Sequence, residues 1–216
     1  MDDITLNLIV LAVFALLGIG IFVIVRHKQA EKEQKIISLA ASKGWSYESI
    51  REPLAWGMRL KSSGWTLEAL SRSNGRETSP GSTDQDMSTI WQTQHAGCTL
   101  LINTRTSQAD LGSIGEMLTR QVLQLALGDQ ANGLKEIKFG SGTFQQKYML
   151  WAQDQLATDR LLTPSIQTRL IEWKGIPPLI KRVSGVLSVE IKGKRINNPD
   201  EILALVTLGN LLAKEN

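Results

Sequence analysis

The chain has 216 residues, 42% hydrophobic and 21% charged, ordinary proportions for a globular protein with length for one respectable core. Its 24 basic residues against 21 acidic ones give a net charge of +3. Much of that excess lies beside one apolar run, so no broad basic stripe is left for nucleic acid, which is not expected as a partner. A single cysteine, Cys98, excludes an intrachain disulfide and agrees with a reducing compartment.

The first element is the run Ile4 to Val25, which has no polar side chain from Leu8 onward. As a helix it rises about 33 Å, enough to cross a hydrocarbon core of about 30 Å. It reads as an uncleaved transmembrane anchor over residues 1–25. A signal peptide fits less well. Asp2 and Asp3 stand where basic residues would be needed, and the run ends in Arg26-His27-Lys28 with no small-residue cleavage pattern. Basic residues stay on the cytoplasmic side, so the flanking Arg26, Lys28 and Lys32 place the N-terminus outside and the following domain in the cytoplasm. Gly18 and Gly20 are two apart and make no GxxxG pairing motif.

Residues 26–43 continue as a helical stalk. His27 to Lys35 is polar all round, with Glu31 and Lys35 at i,i+4 spacing. From Ile36 an apolar stripe of Ile36, Leu39 and Ala40 begins, with Ile37 and Ala41 alongside, so this half docks on something. Gly44 is suited to stop the helix. A soluble α+β domain is expected over 44–216.

Trp45-Ser46-Tyr47 begins a strand, and Trp65 to Ala69 alternates as another. Arg72 to Asp86 is polar and turn-rich and reads as a long mobile loop. Met87 to Gln94 and Cys98 to Thr104 are strand-like runs joined by His95-Ala96-Gly97, a hairpin candidate. Ser113 and Glu116 have capping-box spacing before a helix over Met117 to Leu127, closed by Gly128. Thr143 to Ala152 reads as a strand and Asp154 to Leu162 as a short helix. Thr163-Pro164 starts a second helix, with Ile166, Leu170 and Trp173 on its face. Val186 to Lys192 alternates with Leu187, Val189 and Ile191 inward. Asn198-Pro199 starts the last helix, whose apolar face is Ile202, Leu205, Val206 and Leu212.

This order is no strict alternation of strand and helix, so the expected fold class is α+β. An N-terminal transmembrane helix continues into a juxtamembrane helix, and mostly antiparallel sheet with helices follows. Two lobes, 44–133 and 134–216, are the alternative to one domain. The segments Tyr148-Met149-Leu150-Trp151-Ala152-Gln153-Asp154, Leu161-Leu162-Thr163-Pro164 and Gly185-Val186-Leu187-Ser188-Val189, with Pro199 leading an apolar helix, resemble a group of uncharacterised bacterial single-pass membrane proteins. Those share a Gly-Trp after the juxtamembrane helix, here Gly44-Trp45. The resemblance implies an α+β domain behind one N-terminal span and carries no catalytic residues.

No constellation for chemistry stands out. His95 and Cys98 are the only neighbouring His/Cys pair, where a zinc site needs about four ligands. They read as a turn histidine and a buried strand cysteine. Gly140-Ser141-Gly142-Thr143 lacks a P-loop lysine and reads as a turn before a strand. Asp84-Gln85-Asp86 reads as a solvated turn. No catalytic, cofactor-binding or metal residue is assigned. Six tryptophans lie outside the apolar run, and large aromatics serve cores and interfaces alike. The candidate partner surface is Ile36, Leu39, Trp45, Trp56, Trp65 and Trp91. The expected function is a membrane-anchored, non-catalytic interaction module or accessory subunit, with the bilayer and a protein as partners. A tethered domain binding a lipid or apolar small molecule is the alternative, and an enzyme without a recognisable motif the third.

Overall fold

The computed structural model describes residues 3–79, 82–105, 123–124 and 127–214, with backbone alone for 3–17, 19, 74–79, 82–85 and 156–157. It is an α+β fold built on a single antiparallel sheet. In chain order the elements are α1 (Asp3–Lys43), β1 (Ser46–Glu52), β2 (Ala55–Lys61), β3 (Trp65–Ser79), β4 (Ser82–Gln94) and β5 (Leu100–Thr104). A 3-10 turn at Gly128–Ala131 precedes β6 (Lys135–Glu136), α2 (Gly142–Lys147), β7 (Tyr148–Ala152) and α3 (Gln155–Leu161). The chain closes with α4 (Pro164–Ile171), β8 (Leu179–Val183), β9 (Val186–Lys192) and α5 (Pro199–Lys214).

The nine strands lie in the order β1-β2-β3-β4-β9-β8-β5-β7-β6. Their register aligns one continuous row across eight of them: Tyr47, Leu60, Leu67, Trp91, Val189, Ile180, Ile102 and Leu150. Apart from Tyr47, which is half-buried, every member of the row is buried in the main core. The period of two in each strand sends these residues to one face, and the helices cover it. Helix α5 lies across the row with Gly209 on the Trp91 indole, so close that a Cβ at 209 would collide with the ring. Leu161, Ile166 and Leu170 extend the same core. On the opposite face a second cluster, Leu101, Leu123, Leu127, Trp151 and Leu179, covers the β5–β7–β8 end.

Helix α1 ends in a Schellman motif. Gly44, at φ +68°, donates to the Ala41 carbonyl at 3.2 Å, and Trp45 donates to the Ala40 carbonyl at 2.8 Å. A side chain in that left-handed conformation costs about 1–2 kcal/mol, hence the glycine. The turn folds β1 back along α1 and presses Ile36 and Ala40 into the core. The apolar stripe therefore docks on the chain's own domain. Glu31 pairs with His27 at 3.2 Å, one turn back from the Lys35 that its spacing favours.

Several expectations from sequence are corrected. Arg72 to Asp86 is not a loop: β3 and β4 run through it as a two-stranded ribbon, with Ser73 opposite Gln85 and Ser79 opposite Ser82. Asp84-Gln85-Asp86 accordingly lies in a strand. His95-Ala96-Gly97 joins no hairpin, since β4 pairs with β3 and β9 while β5 pairs with β7 and β8. Half of Thr143 to Ala152 is helix α2, capped by Ser141 Oγ, which accepts from the Phe144 amide at 3.2 Å. Trp173 falls beyond the end of α4 and donates its indole N–H to the Ile176 carbonyl at 3.0 Å. The strand Leu179–Val183 had no expectation of its own. The segments 44–133 and 134–216 both contribute strands to the sheet and residues to the main core cluster. The helix expected over Met117 to Leu127 lies almost wholly outside the described residues, as do Ser113 and Glu116.

Among the described residues no helix is long and apolar enough to cross a membrane. Described side chains of α1 begin at Gly18, so most of the apolar run over 1–25 lies outside them.

Candidate functional site

The doubling back of β1 along α1 leaves a cleft of about 550 Å³ between them. From α1 come Val25, Lys28, Gln29, Lys32, Glu33 and Ile36, spaced so that one face of the helix supplies the wall. From the sheet come Tyr47, Ser49, Arg51, Trp56 and Met58. Ser49 is paired with Met58 and Arg51 with Trp56, which puts them on the same sheet face as Tyr47. The third wall is Arg195, Ile196 and Asn197, in the connection from β9 to α5.

Each wall is fixed. The connection is tied by Thr89, whose hydroxyl donates to the Lys194 carbonyl at 2.9 Å and accepts from the Ile196 amide at 2.8 Å. Ile196 is buried, and Arg195 and Asn197 flank it. The helix is tied to the sheet by the Tyr47 hydroxyl, which donates to Glu33 Oε1 at 2.8 Å. Burial first, then that hydrogen bond and the Glu33 charge, push the Tyr47 phenol up to about 12, against a smaller opposing pull from Ser49 and Arg51.

The electrostatics are lopsided. Lys28, Lys32, Arg51 and Arg195 line the cleft, and among the described residues Glu33 is its one carboxylate. Among the described residues none of the four cations has a carboxylate within ion-pair distance. The floor is apolar, from Ile36, Met58 and Trp56.

Of the expected flanking cations, Lys28 and Lys32 face this cleft and Arg26 does not. The expected partner surface is not brought together as a surface. Trp91 is 0% exposed and Ile36 3%, both inside the domain's own core, because the Gly44 turn and the α5 crossing bury them. Leu39, Trp45 and Trp65 pack partly buried against that core. Trp45 meets Trp65 edge-on at 5.0 Å, and Trp65 lies 6.4 Å from Trp91, a ladder leading inward. Only Trp56 of that set lines the cleft. Sequence reasoning missed Arg51, Arg195, Tyr47 and Glu33, which meet only through the tertiary fold.

Two other places carry chemistry-bearing groups. A second cleft of about 350 Å³ lies between the Trp173–Ile176 turn and α5. Its charges balance, Arg169, Lys174 and Lys194 against Glu172, Asp200 and Glu201, and Lys194 pairs with Glu201 at 2.7 Å. Beneath the β4–β5 connection, the buried Arg182 donates to the Cys98 carbonyl at 2.7 Å and to Cys98 Sγ at 3.2 Å. Cys98 is half-buried and precedes β5. His95, 5% exposed, has no hydrogen-bond partner on either ring nitrogen among the described residues. Burial, then the charge of Arg182, lowers its pKa from the ordinary histidine value. Among the described residues no three His, Cys, Asp or Glu side chains group as metal ligands.

No protein-family model matches the chain, and no curated protein or solved structure matches it either.

Proposed function

We propose that the chain is a membrane-tethered, non-catalytic binding domain whose binding site is the cleft between α1 and the β1–β2 hairpin. The apolar run over 1–25 is its anchor, and Arg26, Lys28 and Lys32 hold the domain on the cytoplasmic side. The observation that carries this reading is the position of the cleft along α1. Val25, the last residue of the apolar run, lines the same cleft as Ile36, which is in the domain core. Eleven residues of helix are about 16 Å, so the cleft opens where the apolar run ends. The domain is not hung on a free stalk; its anchor helix forms one wall of its site.

An interaction module remains the broader class, but the stripe that motivated a protein partner, Ile36 with Leu39, is spent on the domain itself. That favours a tethered domain that binds a lipid. The test has two parts. A reporter active only in an oxidising compartment, fused to the C-terminus, should stay inactive, and the chain should remain with membranes through an alkaline wash. An active reporter overturns the orientation, and release into the wash overturns the tether.

A further inference from the structure

We infer that the cleft takes the headgroup of an anionic glycerophospholipid from the membrane that anchors the chain. This rests on the tethered reading above.

Three observations point to that ligand. The first is charge. Elsewhere in the fold, Arg59, Lys61, Arg105, Lys181 and Lys194 have a carboxylate within 3.3 Å. Scattered exposed cations such as Lys35, Lys43 and Lys135 have none among the described residues, so it is convergence on one space that marks the cleft. The four cations of the cleft have none among the described residues, and the cleft's own carboxylate is engaged by Tyr47. Four cations from three separate elements around one concavity make an anion site, and the two arginines offer forked donors suited to phosphate oxygens.

The second is polarity by depth. Ile36 and Met58, both buried, and the half-buried Trp56 give the cleft an apolar floor, while Lys28, Lys32 and Arg51 around it are exposed. A free inorganic anion has no use for that surface, whereas a glycerol backbone with the first methylenes of its acyl chains does.

The third is level. Tyr47 sits beside Glu33, and the four residues on to Arg51 rise about 13 Å, the rise of about nine helical residues. That sets Arg51 at the height of Val25, in agreement with their lining one cleft. The turn at Pro53-Leu54 then comes level with Ile21 to Val25 along α1. Leu54 is 59% exposed. Of the eight large hydrophobics exposed among the described residues, six are Ile21, Phe22, Val23, Ile24, Val25 and Leu54, all at this end. An apolar tip level with the end of the apolar run puts the cleft's mouth at the depth of lipid phosphates.

The test is native mass spectrometry of the full chain purified in mild detergent and offered phosphatidylglycerol and phosphatidylcholine together. The wild type should retain one phosphatidylglycerol in clear preference to phosphatidylcholine. Arg51→Gln and Arg195→Gln should each weaken retention about fivefold, and Glu33→Gln should strengthen it by a similar factor. Arg26→Gln, on the flank but outside the cleft, should change it little. Equal retention of the two lipids overturns the inference, and so does an Arg26→Gln effect as large as that of Arg51→Gln, since both mean diffuse attraction without a site. Displacement of the lipid by millimolar inorganic phosphate means a soluble anion is the ligand and also overturns it. If the chain is released by the alkaline wash, the tether falls. Sedimentation with vesicles of phosphatidylcholine, with and without phosphatidylglycerol, then reads the lipid preference by itself.

Discussion

Two charged regions of this molecule are built from the same residue types and come to opposite ends. On the outer face of the sheet, Glu48, Arg59 and Glu68 are direct cross-strand neighbours in β1, β2 and β3. The register alone brings them together: Arg59 meets Glu68 at 2.7 Å and Glu48 at 3.2 Å, with Lys61 reaching Glu48 at 3.3 Å. In consequence the Arg59 pKa is raised, chiefly by Glu68, and the exposed Glu48 carboxyl is lowered, chiefly by Lys61. In the cleft, the cations come from α1, β1 and the β9–α5 connection, and no register supplies them with partners. Paired charge over a flat face serves the strands beneath it. Unpaired charge around a concavity calls for something from outside.

If that distinction is right, the residues that frame the cleft and those that line it should separate in their effects. The frame carries the largest. Trp91→Ala removes the centre of the eight-strand row and leaves Gly209 facing a void, which should cost about 3–5 kcal/mol in urea unfolding. Ile36→Ala should cost about 2–5 kcal/mol and loosen α1 from the sheet, lowering lipid retention along with stability. A normal urea midpoint for Ile36→Ala would mean that α1 is a free stalk.

The hydrophobic pattern made part of this frame readable in advance. Val186 to Lys192 and the face of α5 follow their periods, and Gly44 with Trp45 marks the helix end, because in each case the deciding contacts are local or one-sided. The β3–β4 ribbon was not readable, since turn-forming residues such as Ser73 and Ser79 are paired across it, and Asn74 and Gly75 fall where its register shifts between Ser73 and Glu77. Nor was the fate of His95 to Gly97: three residues between two strands look like a hairpin until β9 and β8 insert between them in the sheet. The helix after Ser141 was hidden by Gly142 and the aromatic run that follows. The cleft was the least legible feature. Lys28 and Lys32 could be named as flanking cations, but nothing near Arg51 or Arg195 in the chain says that they face the same space.

The tie between the two walls comes next in size. Tyr47→Phe removes the hydrogen bond to Glu33 and should cost about 1 kcal/mol. It should also change the response to alkali. The folded-state pKa of Tyr47 is raised above its ordinary value of 10.0 to about 12, so the folded protein holds this proton more tightly than the unfolded chain. The stabilisation is complete below pH 10 and is lost as the pH rises from 10 through 12. Tyr148 is raised as well, by burial, so the wild type has two sources of alkaline loss. Tyr47→Phe should remove one, and the difference between the two proteins' urea midpoints should shrink across that window. A constant difference would mean that Tyr47 is not held by Glu33 in solution.

The smallest effects set the two charged regions directly against each other. Arg59→Gln breaks contacts to two carboxylates on a partly exposed face, where screening holds such pairs to about 0.2–1 kcal/mol. It should lower the urea midpoint slightly and leave lipid retention alone. Arg51→Gln breaks no ion pair among the described residues and removes one of four like charges around the cleft. Its stability should stay within about 0.5 kcal/mol of the wild type, and a small gain is the expected direction because repulsion is relieved. Raising the salt concentration should shrink both differences. Measured side by side, the two variants should rank in opposite orders for stability and for lipid retention. A loss of stability for Arg51→Gln equal to that for Arg59→Gln would give Arg51 a structural partner, and the contrast between the two regions would be gone.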